Sequence, residues 1–208
     1  MAASERVDVP IGLIERLRAA VGPAACLTRP EELYAYGCDG LTLDAHLPGA
    51  VVLPDSTEQV VEVVRACRDA GRPFVARGAG TGLSGGAHAL DGAVVVSCAR
   101  MRSILEVDGE DRIAVVQPGV VNADLSGAVR HLGLFYAPDP SSQQACTIGG
   151  NVAENSGGPH TLKYGTTTNH VLALEMVLPD ATVVRLGSPT GYANGYDLVG
   201  ACVGSEGT

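Results

Sequence analysis

Apolar positions recur along this chain in short, sharply bounded runs, and the spacing inside the runs alternates between helix-like and strand-like. Residues 11–21 (IGLIERLRAAV) put Ile11, Leu13, Ile14, Leu17 and Val21 on one helical stripe, which Gly22-Pro23 stops. Thr28 then caps a short helical segment, RPEELYAYG, with Pro30 in its first turn and Gly37 as its stop. Residues 39–48 (DGLTLDAHLP) have no period and read as loop. Residues 50–54 (AVVLP) form a buried strand. Ser56 or Thr57 caps the helix that follows, with Val60, Val61, Val63, Val64 and Cys67 on its core side and Gly71 at its end. Residues 73–76 (PFVA) are the next strand. A crossover of about twenty residues between two such strands predicts a parallel pair with a right-handed connection.

Further along, residues 93–97 (AVVVS) are strand-like, and residues 101–107 and 112–117 predict two strands joined across the turn dipeptide Asp108-Gly109. Asn122 or Asp124 opens a helix running through Arg130-His131. Val121, Leu125, Val129 and Leu132 are its apolar positions and Gly133 ends it. Residues 136–165 are irregular, and an aperiodic stretch of that length in a compact domain is usually functional. Residues 171–178 and 182–186 predict a hairpin about Pro179-Asp180. Residues 204–208 are turn-like with nothing after them, so a fragment, or the leading domain of a longer chain, is expected.

Composition narrows the function. The chain has 208 residues, 46% of them hydrophobic and 18% charged, which suits a folded core rather than disorder. Its net charge is −9 and Lys163 is the only lysine, so binding nucleic acid or an anionic membrane through a basic face is disfavoured. A phosphate ligand would instead need backbone amides. The six cysteines form no CxxC pair and most interrupt apolar patterns, which predicts buried free thiols in a reducing compartment. The start, MAASERVDVP, carries charge ahead of any apolar run and reads as no secretory signal. No apolar stretch approaches the ~18 residues of a membrane span. A soluble, cytoplasmic protein is expected.

Two loops carry the candidate chemistry. The first is RGAGTGLSGGA, residues 77–87, set between two apolar runs. Its glycines leave backbone N–H groups unshielded and able to adopt positive φ, the makings of a concave nest for phosphate. The second, residues 137–158 (APDPSSQQACTIGGNVAENSGG), contains Thr147 at the start of a short helix whose first N–H groups are expected to be bare. Two such loops suggest a diphosphate ligand, or else two unrelated turns. Gly80, Gly82 and Gly85 formally match GxGxxG. However, the sequence runs on into a strand rather than a helix, and no acidic strand end follows, so a Rossmann site is rejected. The absence of GK[ST] removes a P-loop. His46, His88, His131 and His170 show no metal-ligand spacing, and no metal site is expected.

Four ordered motifs, VVLPDSTEQVVEVVRAC, RGAGTGLSGGA, PDPSSQQACTIGGNVAENSGGPHTLKYGTTTNHVLALEMVLPD and VGSEGT, resemble the PCMH-type FAD-binding domain of the vanillyl-alcohol-oxidase class. The resemblance is greatest to bacterial glycolate oxidase FAD subunits and to D-2-hydroxyacid (D-lactate) dehydrogenases. It covers nearly everything from about residue 50. It implies an α+β fold of two lobes with FAD between them: a small parallel β-α-β lobe at about residues 47–118, and a mixed or antiparallel β lobe with helices at about 119–208. The second lobe would be truncated before its last strand, residues 1–46 would be a separate helical segment, and a substrate or cap domain would be missing.

The resemblance also implies site residues. Arg77, Gly78, Ala79, Gly80, Thr81 and Gly82 wrap the pyrophosphate, with Leu83 and Ser84 nearby. Pro138, Asp139 and Ser142 lie near the flavin. Thr147, Gly149, Gly150, Asn151, Ala153 and Asn155 form the second phosphate and ribityl loop. Glu206 and Gly207 lead toward the adenine. Covalent members attach FAD through a histidine where this chain has Thr81, so non-covalent FAD is implied, with Cys146 a structural thiol. Ala181 stands where the family usually has glycine after LPD. The implied reaction is oxidation of a 2-hydroxy acid by hydride transfer to flavin N5, with electrons passing to an acceptor subunit or quinone. The catalytic base remains unassigned. His160 and Lys163 are the local candidates, and a structural role for His160 is the simpler reading. An NADPH-dependent flavin reductase of the UDP-sugar enoyl type and a non-catalytic nucleotide-binding module are the alternatives.

Overall fold

The computed structural model describes residues 9–43, 45–90, 92–191 and 195–208. The stretch MAASERVD, most of the segment read against a secretory signal, lies outside the described residues. So do Asp44 and Asp91, inside two predicted connections, and residues 192–194 of the tail. The chain forms two compact units. One runs to Arg100 and takes in Val177–Val183, and the other comprises Met101–Met176 and Val184–Thr208.

The first unit is built on a four-stranded sheet. Its strands are β1 (Cys26–Leu27), β2 (Ala50–Val52), β3 (Phe74–Arg77) and β4 (Val94–Ser97), in the order β1-β2-β4-β3. β2 and β3 each pair in parallel with β4, while β1 lies antiparallel on the outer side of β2. The expected β2–β3 pair is therefore absent: the two strands are parallel but separated by β4. The burial pattern supplies the reason. All four residues of β4 are buried, as are all three of β2, whereas Phe74, Val75 and Ala76 of β3 keep some exposure and suit an edge.

α1 (Ile11–Val21) and α3 (Thr57–Asp69) cover one sheet face with Leu13, Leu17, Val21, Val63, Ala66 and Cys67. Ile11, expected on the inner stripe, is 79% exposed. Ser56 caps α3, its side chain accepting from Gln59 N. Over the other face, Leu33 of α2 (Pro30–Leu33) packs with Val51, Ala89, Ala93 and Val95. Arg29, rather than Thr28, holds the cap position of α2.

In the second unit β5 (Ile104–Asp108) and β6 (Ile113–Val116) form an antiparallel pair with a bulge between Ile104 and Glu106. α4 (Asn122–Val129) packs on them through Leu125 and Val129, with Val120 just before it in the same cluster. Asn122 is not its cap. Val121 is, and the Asn122 side chain is buried, donating to Pro138 O at 2.8 Å. The stretch read as irregular contains α5 (Ile148–Glu154) and α6 (Thr161–Tyr164). The predicted hairpin is present as β7 (Ala173–Val177) and β8 (Val183–Gly187), and α7 (Leu198–Cys202) follows, capped by Asp197. All six cysteines are free. No described helix is long and apolar enough to cross a membrane.

Candidate functional site

β3 ends at Arg77, and the glycine loop leaves from there. Arg77 is 7% exposed, with its guanidinium turned beneath the loop. Nη1 donates to Ala87 O at 3.2 Å, and Cζ stands 5.7 Å from the centre of the Tyr36 ring. Burial lowers the Arg77 pKa, partly countered by Cys38, Tyr36 and Asp39. Gly80 has φ +68°, and a Cβ there would run into the Arg77 guanidinium, so both the backbone and the space demand glycine. Gly85 likewise has φ +85°. Among the described residues, the backbone N–H groups of residues 78–83 donate to no protein acceptor. Six successive amides without partners, on a loop that is only partly buried, form the kind of concavity that accepts an anion.

The loop is held from outside itself. Gly82 O accepts from Gly40 N at 3.0 Å, and Gly85 N donates to Asp39 Oδ2 at 3.1 Å. Tyr36, Asp39, Gly40 and His88 were missed by sequence reasoning. An isolated Asp-Gly in an aperiodic stretch signals only a turn.

The second loop differs from expectation. Its helix, α5, starts at the Thr147 cap, but its first N–H groups are not bare. Ile148 N donates to Val120 O, Gly149 N to Pro118 O, Gly150 N to Thr147 Oγ1 and Asn151 N to Thr147 O. For the first two, the cause is an antiparallel bridge between Val121 and Thr147, which brings the Pro118 and Val120 carbonyls against the start of the helix. Gly149 is required there because a Cβ would lie 2.7 Å from Pro118 Cβ. What this segment does leave open is a side chain. Asn151 is 1% exposed, and among the described residues its Nδ2 and Oδ1 make no hydrogen bond of ordinary geometry, nor does the buried Tyr136 hydroxyl; Tyr136 and the Cys146 thiol lie close enough to the amide for weaker polar contact.

The other predicted positions in the second unit serve local structure. Pro138 O receives the Asn122 side chain, and Ser142 O accepts from Ala145 N and Cys146 N at 2.8 Å each. Asp139 Oδ1 accepts from His160 N at 2.9 Å, and its Oδ2 stands 3.2 Å from His160 Nδ1. The turn at Glu206 and Gly207 comes together with α5: Gly204 N donates to Val152 O and Glu206 N to Ala153 O. Asn155 closes α5 with φ +50° and accepts from Thr168 N through Oδ1. Leu83 and Ser84 are exposed. Cys146 is buried, and burial raises its thiol pKa. Lys163 Nζ lies 4.8 Å from the Tyr164 ring centre.

A family model described as "FAD binding domain" matches residues 48–187. The chain is 45% identical to glycolate oxidase subunit GlcD of Escherichia coli (strain K12), covering 98% of this chain and 42% of that protein. It is 40% identical to D-2-hydroxyglutarate dehydrogenase of Stutzerimonas stutzeri (strain A1501), covering 94% of this chain and 42% of the relative. The chain thus spans less than half the length of these curated relatives. Among solved structures it is similar to alkyldihydroxyacetonephosphate synthase, with a TM-score of 0.86 and 22% identity over 99% of this chain and 39% of the other. At that identity the likeness is one of fold.

Proposed function

The chain belongs to the FAD-binding domain family, and from that premise we propose that residues 78–83 hold the diphosphate of FAD without a covalent link. The observation that carries the reading is the run of six backbone amides with no acceptor among the described residues, in a loop turned by the positive φ of Gly80. These groups fit a diphosphate: they are donors, they come in succession, and a side chain at Gly80 would disturb them. Net charge cannot do the same work in a chain at −9. Thr81 occupies the loop position where a covalent link would need histidine.

The residues of the second unit, Thr147 to Asn155 with Glu206 and Gly207, are assigned further contacts with the cofactor, through side chains and carbonyls more than through the start of α5. Asn151 is the leading candidate, since a buried amide with no hydrogen bond of ordinary geometry among the described residues fits a polar ligand group. Arg77 acts from beneath the loop, contributing positive charge and shape rather than a direct contact.

For the whole protein we propose oxidation of a 2-hydroxy acid of the glycolate or D-lactate type. Bound FAD supplies the two-electron acceptor for that oxidation. This chain's own part is to bind the cofactor and to orient it. The carboxylate clamp and the base are assigned to the remainder of the whole protein, as is any contact with an acceptor subunit or quinone. A reducing, cytoplasmic setting is supported by the six free thiols.

Titration of the purified chain with FAD, followed by flavin fluorescence, tests the reading. One equivalent bound is expected. Gly80→Asp, which places a side chain against Arg77 and a negative charge beside the amides, is expected to weaken binding by about a hundredfold or more. A wild-type chain that takes up no FAD, or Gly80→Asp that binds as well as wild type, overturns it.

A further inference from the structure

The glycine loop has one ordered support that lies outside the region matched by the family model. Tyr36, Asp39, Gly40 and His46 precede the matched stretch, 48–187, yet they reach the loop or its exit at several points. Tyr36 lies under Arg77, Gly40 N donates to Gly82 O, and the His46 ring centre is 6.4 Å from that of His88. Most telling is Asp39. Its side chain is only 1% exposed, and each of its oxygens has a partner. Oδ1 accepts from Leu41 N at 2.9 Å and stands 3.2 Å from His88 Nε2, while Oδ2 accepts from Gly85 N across 46 positions of sequence.

We propose that Asp39 is a positioning residue for the cofactor, fixing the far end of the glycine loop so that its open amides are already arranged when the diphosphate arrives. The proposal rests on the FAD reading above. Gly78, Gly80, Gly82, Gly85 and Gly86 make this stretch of backbone expensive to order, and tethers at its ends lower that cost before binding. Arg77, at the start of the loop, reaches across to its end, Nη1 donating to Ala87 O. The far end is held by Asp39 at Gly85, by Gly40 at Gly82, and by His88 N to Gly85 O at 2.9 Å. Gly40 allows this approach because a Cβ there would sit 2.8 Å from Thr81 O.

An Asp whose only task was to close its own turn would need only the bond to Leu41 N. The bond to Gly85 has no part in that turn. A buried carboxylate is costly unless it is well supplied with donors. Burial here pushes the Asp39 pKa up, but the amides of Leu41 and Gly85, with His88, outweigh it and hold the carboxyl below its usual range. The negative charge itself does nothing for a phosphate ligand. If Asp39 acted by charge alone, removing it would tighten FAD binding. Acting by position, its removal has the opposite sign.

The experiment compares wild type, Asp39→Asn, Asp39→Ala and Gly40→Ala. Three measurements are made on each: FAD affinity by flavin fluorescence, hydrogen exchange over residues 78–86 without ligand, and the melting temperature. Asp39→Ala is expected to speed exchange across the loop and weaken FAD by about tenfold, and Asp39→Asn, which keeps one acceptor, by less. Gly40→Ala keeps the carboxylate but crowds Thr81 O, and is expected to weaken FAD as well. It keeps the proposal open to test should Asp39→Ala fail to fold. FAD affinity unchanged or raised in both folded Asp39 variants overturns the proposal, as does loop exchange equal to wild type. A wild-type chain that binds no FAD sinks the cofactor reading instead, and loop exchange alone then decides the role of Asp39.

Discussion

Ala181 shows how much a single backbone angle can hold. It follows Asp180 in the turn between β7 and β8 with φ +69°, and it is 7% exposed. An L-residue with a Cβ pays roughly 1–2 kcal/mol in this region, which glycine does not. The turn is nonetheless closed, Ala181 N bonding Leu178 O and Thr182 N bonding Asp180 Oδ1, so the strain is overcome by its surroundings. Ala181→Gly relieves the strain but loosens the unfolded chain, leaving a net gain of about 0.5–1 kcal/mol. The expected outcome is a melting temperature raised by a few degrees, read by differential scanning calorimetry; a lower one would mean that the methyl group's packing outweighs its angle. The departure from glycine at this position was legible in the sequence. Its energetic meaning was not, because φ is a property of the folded turn.

Among the elements, those with strong local signals were readable and those made by distant contacts were not. α1, α3, β2, β3, β4 and the Ser56 and Thr147 caps followed from period, runs and cap residues. The order of the sheet did not, since local pattern identifies a strand but not its neighbour. The same limit governs the candidate site. Five glycines in the first loop announced it, and their meaning survives in the structure. The second loop misled because the Pro118 and Val120 carbonyls, some thirty positions away, take the amides of Ile148 and Gly149, and Thr147 takes the next two. Asp39 was invisible for a similar reason: its partner Gly85 lies 46 residues on. The central place of β4 has a measurable counterpart. Val95 is 0% exposed and pairs with both Val51 and Val75, whereas Val75 lies on an edge strand with partial exposure. Val95→Ala is expected to cost about 2–3 kcal/mol in urea unfolding and Val75→Ala about half that. Equal losses would contradict the strand order.

For the molecule as a whole, charge and ligand have the same sign. The chain carries −9, and a diphosphate is an anion, so attraction rests on the local field of the open amides and the buried Arg77. Salt screens the long-range repulsion more than the short-range contacts. Raising ionic strength is therefore expected to leave FAD association unchanged or faster in stopped-flow measurements. A steep slowdown with salt would point instead to a cationic surface steering the ligand. The strand order has a consequence in time as well as in space. During synthesis β2 and β3 leave the ribosome before β4, the strand that belongs between them. Until residue 97 has emerged, the nascent chain therefore carries two apolar strands, each with an open edge and no native partner for it. The sheet closes when its innermost strand is slotted in last, so productive folding depends on β2 and β3 not meeting each other first.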